Sequence, residues 1–169
     1  MRFKPQRTTQ STPLSIGVIM QLYELASSAE LLFKRTCAVS TRLRHYYVEP
    51  EHFLLAAIID VDSRIARIMN NYGMTVENVL DVVIDMHEQY PEGHVRVIEP
   101  FSPVSTKIVN RAIAFAQERD GQLATDADIV TMLLLSKDEQ VLHVFDTLDV
   151  NPDRIGVEVV RLLLTDAAH

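Results

Sequence analysis

Glu49-Pro50-Glu51-His52 in the first half of the chain and Thr125-Asp126-Ala127-Asp128 in the second decide the fold. Each stretch sets a polar side chain where it can accept from the free amides of a starting helix. Pro50 suits a first helical turn, where its missing N–H has no partner to lose. Three further pairs recur at a spacing of about 75 residues, the range of a structural repeat. Ser27-Ser28-Ala29-Glu30 answers to Ser102-Pro103-Val104-Ser105, and Asp62-Ser63 to Ser136-Lys137-Asp138-Glu139. Thr75-Val76-Glu77-Asn78 answers to Asn151-Pro152-Asp153-Arg154. Four helix starts in register, twice, predict an all-α chain: two four-helix repeats packed as a pseudo-twofold helical bundle.

Apolar spacing between these starts supports the reading. Ser27 is expected to cap the first long helix, with Glu30 closing a capping box. Ala29, Leu32, Phe33, Thr36, Cys37, Ser40 and Leu43 then follow helical periodicity. Phe53, Leu54, Ala57 and Ile58 form the buried side of the second helix. Asp62 is expected to cap a third, with Ile65, Ile68 and Met69 inside and Gly73 as its left-handed stop. Thr75 caps a fourth, running toward Met86. In the second half, Ile108, Ala112, Phe115 and Ala116 mark the first helix, and Ile129, Met132 and Leu133 the second. Val141, Val144, Phe145 and Leu148 mark the third, and Ile155, Val159 and Leu162 the fourth. The organisation expected is a tail with a short helix from Pro13 over 1–24, a first repeat over 25–90, a proline-rich linker over 91–101 and a second repeat over 102–169. Neither repeat buries its apolar face alone, so the two are expected to share a core.

Bulk composition narrows the function. No apolar run approaches the length of a membrane span. The net charge of −7 speaks against a nucleic-acid binder, which needs a basic face. One cysteine, Cys37, excludes an intrachain disulfide and fits a reducing, cytoplasmic setting. Arg2, Lys4 and Arg7 precede an apolar stretch, and Ala26-Ser27-Ser28-Ala29 imitates a cleavage site. Gln21 and Glu24 interrupt that pattern, so a tail is expected rather than a secretory leader.

The chemistry-bearing motifs are missing. The five glycines form no phosphate cradle, and there is no His-Glu-x-x-His, Cys-x-x-Cys or serine elbow. No catalytic residue, cofactor or metal is therefore assigned. His45, Glu49, Glu51 and His52 come nearest to a cluster, and a small metal-dependent enzyme using His45, Glu51 and His52 is the competing reading. The plainer one makes Glu49 and Glu51 partners of a helix dipole and His52 a semi-buried packing group. The second repeat has Thr125, Ala127 and Asp128 in those places. His87, His94 and His143 read as isolated.

His45, Val48, Glu51 and His52, leading into Leu54-Leu55, form His-x-x-Val-x-x-Glu-His followed by Leu-Leu. Ile65 through Met69 lead to Gly73, Phe101-Ser102-Pro103 opens the second unit, and Ala116, Met132 and Leu133 follow. This order resembles the Clp N domain, the N-terminal double repeat of the Clp AAA+ unfoldases and disaggregases, over about Leu22 to Leu164. The resemblance implies a non-catalytic module that docks adaptors or substrates for a Clp ATPase, either as its N domain or as a standalone partner. In some relatives a glutamate of the Glu-His motif in each repeat holds phosphorylated arginine. Glu51 matches the first, whereas Ala127 stands at the second, and Glu49-Pro50 replaces the family's Gly-Thr. Asp62-Ser63-Arg64-Ile65-Ala66-Arg67-Ile68, Asn70-Asn71-Tyr72-Gly73 and Tyr90-Pro91-Glu92-Gly93 are similar to the branch that recycles type VI secretion sheaths, which grips a sheath-protein helix. The expected peptide or adaptor surface comprises Glu30, Glu49, Glu51, Phe101 and Glu118, with an apolar groove between helices as the docking mode.

Overall fold

The computed structural model describes residues 24–94 and 101–166, so the segment expected to hold a tail and short helix lies outside the described residues. Within them the chain forms eight α-helices: α1 Ser27–Leu43, α2 Pro50–Ile59, α3 Arg64–Asn71, α4 Val76–Val83, α5 Pro103–Asp120, α6 Asp126–Leu135, α7 Glu139–Thr147 and α8 Pro152–Asp166. The only extended pairing among the described residues is isolated bridges.

The starts of α2 and α6 are built as expected. Glu49 N donates to His52 Nδ1 at 2.8 Å, and Thr125 N donates to Asp128 Oδ2 at the same distance. Asp128 N returns a bond to Thr125 Oγ1 at 3.3 Å. Thr75 accepts from Asn78 N, Asn151 Oδ1 from Asp153 N, and Ser102 from Ser105 N. Two starts differ from expectation. Ser63, not Asp62, caps α3, its Oγ accepting from Ala66 N at 3.0 Å. The turn closed by Ser63 N donating to Asp60 O carries the chain one residue further before the helix begins.

The second difference concerns α1. Ala26 is its N-cap and has no side-chain acceptor, so the capping box between Ser27 and Glu30 does not form. A backbone pairing replaces it. Ala26 N donates to Ala124 O at 2.8 Å, and Ala124 N donates to Glu24 O at 3.0 Å. The hydroxyl of Ser28 turns outward to cap the other half, accepting from Asp126 N at 3.2 Å. Ala26 and Ser102 are therefore the true equivalents, 76 residues apart like Glu49 and Thr125 or Thr75 and Asn151.

The same bridge occurs at the other equivalent place. Leu25 pairs in parallel with Ala124, and Val48 in parallel with Phe101. Ser102 N donates to Val48 O at 3.1 Å, as Ala26 N does to Ala124 O. The residue before the first helix of each half is thus tied to the residue before the second helix of the other half.

Helices α2 and α6 form the centre. Pro50 through Ile58 are all buried, so α2 has no solvent face over that length, and it packs against α1, α3, α4, α5, α6 and α7. Helix α6 packs against α1, α2, α5 and α8. The outer helices cross over: α4 lies on α7 and α3 on α8. Phe53, Leu54, Leu55, Ile58, Ile129 and Leu133 are fully enclosed. Burying each such side chain contributes about 1.5–3 kcal/mol. Cys37, expected in the apolar stripe, is only half-buried, and Val39 holds a core place instead.

Gly73 closes α3 at φ +82°, with no atom near the position a Cβ would take. Gly73→Ala should therefore act through backbone strain alone and lower stability by about 1–2 kcal/mol in urea denaturation.

Candidate docking site and its buried polar frame

The start of α2 carries a polar cluster inside an otherwise apolar centre. His45, Glu51 and His52 have no exposed surface. His52 Nδ1 accepts from Glu49 N, so its Nε2 bears the proton and donates to His45 Nδ1 at 2.8 Å. His45 Nε2 then bears the second ring's proton and donates to Ile84 O at 3.3 Å. A consistent ladder of two neutral imidazoles runs from the N-terminus of α2 to the C-cap of α4. Helix α4 stops at Val83, short of Met86. The Ile84 carbonyl, just past that end, accepts from His45, and Met86 N turns back to Val83 O in a tighter turn.

His87 is not isolated, contrary to the reading from sequence. It lies just beyond α4, and its Nε2 donates to Glu51 Oε1. Its ring centroid is 5.2 Å from that of His45 and 5.9 Å from that of His52. Glu51 Oε2 is buried without a hydrogen-bond partner. Burial pushes the Glu51 carboxyl above its usual range, with the His87 hydrogen bond and a backbone amide pulling the other way. The hydrogen bond to Glu51 raises the His87 imidazole, against the opposing effect of burial. A local sequence scan misses His87 because its partner sits 36 residues away across a helix pair.

These positions bear on the metal reading. A metal on His52 Nε2 needs a proton on Nδ1, which already faces the Glu49 N–H. Among the described residues, no group of three or more His, Cys, Asp or Glu side chains is arranged to hold a metal ion.

The second half solves the same problem with charge. Asp128 occupies the place of His52, fully buried, and accepts from Arg119 of α5, which is 18% exposed. Ala127 stands where Glu51 does, so this half has no carboxylate at that step.

The residues expected to form a peptide surface separate into three settings. Glu51 is enclosed and engaged by His87. Glu49 is half-buried and, with Tyr46, Tyr47, His87 and Glu88, lines a pocket of about 300 Å³. Phe101 meets this region through its bridge to Val48, and its ring stacks on Phe33 at 4.5 Å. Glu30 is half-buried in the first turn of α1, and Glu118 is exposed late in α5.

Two open apolar grooves were not foreseen residue by residue. One, of about 530 Å³, lies between α1, α2 and α4. The other, of about 420 Å³, lies between α6 and α8. They are the same surface used twice: Leu55, Ile59, Val76, Leu80 and Ile84 of the first correspond, 76 residues on, to Thr131, Leu135, Pro152, Gly156 and Val160 of the second. In the first groove Val39, Arg42 and Leu43 of α1 add a third wall.

Eight helices arranged as four used twice, around a central pair whose polar groups are consumed internally, define a double-repeat helical domain. The chain belongs to the family of Clp repeat (R) N-terminal domains, whose model matches residues 24–145. Its structure is similar to that of the N-terminal domain of the caseinolytic protease associated chaperone ClpD from Arabidopsis thaliana. That match has a TM-score of 0.70 and 16% identity, covering 83% of this chain and 95% of the other. The Hsp104 N-terminal domain from Candida albicans gives 0.68 and 15%, covering 82% and 90%. The ClpV N-domain, solved in complex with a VipB peptide, gives 0.60 and 14%, covering 86% and 91%. Among the described residues no helix is long and apolar enough to cross a membrane.

Two outcomes follow from the polar frame. The folded chain holds protons on Glu51 and His87 more tightly than the unfolded one, because both groups titrate above their ordinary values. The His87 contribution is therefore complete below pH about 6.5 and is lost as pH rises through its raised value. Glu51 acts in the same sense from about pH 4.5 upward. Urea denaturation should show stability falling with pH across the His87 window, and His87→Gln should flatten that part of the curve. In the second half, Arg119→Met leaves the Asp128 carboxylate buried without its cation. It should cost about 3 kcal/mol, against less than about 1 kcal/mol for Arg111→Met on the exposed face of α5.

Proposed function

We propose that this chain is a non-catalytic protein-docking module, which binds adaptors or substrates on behalf of a Clp-type AAA+ unfoldase or chaperone. Its two repeats, 25–90 and 102–169, form the two halves of the module. The observation that carries this reading is the pair of equivalent apolar grooves between the second and fourth helix of each half. The polar side chains that could serve chemistry are spent on holding helix ends together, whereas the open surface is apolar with charged residues at its edge. Such a surface suits an amphipathic helix or an extended peptide. Family membership and the likeness to N-terminal domains of Clp chaperones support the same assignment.

A second reading concerns the partner. The ClpV N-domain was solved with a VipB peptide, and the resemblance of Asp62 through Gly73 to the sheath-recycling branch favours a sheath-protein helix as ligand. Phosphoarginine is less favoured, since Glu51 is enclosed and Ala127 offers no carboxylate.

The test is a pull-down from the source cell with the purified chain as bait, read by mass spectrometry. Recovery of an AAA+ ring or a Clp peptidase identifies an accessory protein. A sheath protein or adaptor identifies a receptor domain. ATP hydrolysis or another turnover by the purified chain, abolished by mutation of His45 or His52, would overturn the docking reading.

A further inference from the structure

The two equivalent grooves are lined differently, and one difference lies in the helix that walls each. Where α4 carries Leu80, α8 carries Gly156. A glycine inside a helix lowers stability relative to alanine because it costs more backbone entropy to order. Nothing among the described residues requires it here. A Cβ on Gly156 would meet only Leu134 Cδ1, at the ordinary contact distance of 3.9 Å. Its backbone conformation is helical as well, so no left-handed turn demands it. What the glycine does is leave that part of the groove lining without a side chain, so that another backbone can approach closely.

Around it the walls are apolar and solvent-facing. Leu135 is 64% exposed, Val157 53% and Val160 37%. The two ends carry opposite charges. Asp153 lies at the N-terminal end of the groove wall and Arg161 two turns later, about 12 Å along the helix axis. Among the described residues neither takes part in an ion pair.

We infer that the α6–α8 groove docks a partner's amphipathic helix of about three turns, packed closely over Gly156 and running antiparallel to α8. This rests on the docking reading above and specifies its site and ligand. The direction comes from charge complementarity. A helix is best stabilised with its acidic residue in the first turn and its basic residue toward the end. Arg161 then faces the acidic first turn of the partner, and Asp153 faces its basic last turn. Apolar anchors three and four residues apart fill the space between Leu135, Val157 and Val160.

The test uses the full chain and a synthetic amphipathic helix. That probe has leucines at positions i, i+3, i+4 and i+7, a glutamate in its first turn and a lysine eight residues later. Binding is followed by backbone NMR titration. Shifts should concentrate along α6 and α8, and a second peptide with the two charges exchanged should bind about fivefold more weakly. The chain carrying both Asp153→Arg and Arg161→Glu should reverse that preference. Gly156→Leu, which copies the residue already tolerated at Leu80, should weaken binding about tenfold with a melting temperature no lower than that of the parent chain. Val157→Asp provides a second, exposed disruption.

Equal affinity for both charge patterns would overturn the inference, as would indifference to Gly156→Leu and Val157→Asp. Two other results also overturn it: self-association lost on Val157→Asp, which makes the face a contact between copies, and binding seen only after residues 1–23 are removed. If the shifts fall instead on α1, α2 and α4, this inference fails while the docking reading stands.

Discussion

Helix α2 has no free side, and the architecture follows from that constraint. Pro50 through Ile58 are buried, so every direction around this helix must be filled by another element. One four-helix unit supplies too few neighbours. The remaining cover comes from the second half, through α5, α6 and α7. The reverse holds for α6, which draws on α1 and α2. Each half completes the other, and the two parallel bridges, Leu25 to Ala124 and Val48 to Phe101, fix the register of that exchange. A bridge of one residue contributes little energy by itself. Its value is geometric, since it holds the residue before a helix in an extended conformation and so determines where the helix starts.

A central helix also has a central end, and its first amides must find acceptors without water. The two halves answer this differently at the third residue of the helix. His52 is a neutral acceptor and passes the demand onward through His45 to the carbonyl that ends α4. Asp128 is charged and so requires a cation, which Arg119 provides from α5. The histidine solution spreads across three segments and leaves room for the enclosed Glu51 to pair with the half-buried His87. The aspartate solution is compact and local. A duplicated fold therefore preserves the geometric demand while the chemistry that meets it diverges.

What was legible in the sequence follows the range of each interaction. The caps at Glu49, Thr75, Ser102, Thr125 and Asn151 are made within three residues, and their residue types announce them. Repetition of these caps was enough to reach the all-α, duplicated fold. The first cap was misread because its true partner, Ala124, is a backbone group nearly a hundred residues away, while Ser27 looked like a better local answer. His87 was passed over for the same reason. Nothing near it in the chain signals that Glu51 will be buried beside it. The grooves were foreseen as a kind of surface but not as residues, because exposure of Leu135 or Val157 depends on what fails to cover them.

The two grooves show how equivalent surfaces of a repeat diverge. In the first, Leu80 is part of the lining and α1 adds Val39, Arg42 and Leu43 as a third wall. The wall it shares with α4 is also tied at its far end, because His45 grips Ile84 and His87 grips Glu51 just beyond. In the second, Gly156 and Thr131 stand where Leu80 and Leu55 do, and α8 continues past the cleft to Asp166 with Leu164 still exposed. Interior polar bonds thus tie down the segment beside one cleft, whereas the other lacks a side chain at the equivalent position. Core packing demands neither change, since a helix with leucine at this position is already present in the same molecule. The asymmetry therefore sits on the surface rather than in the core.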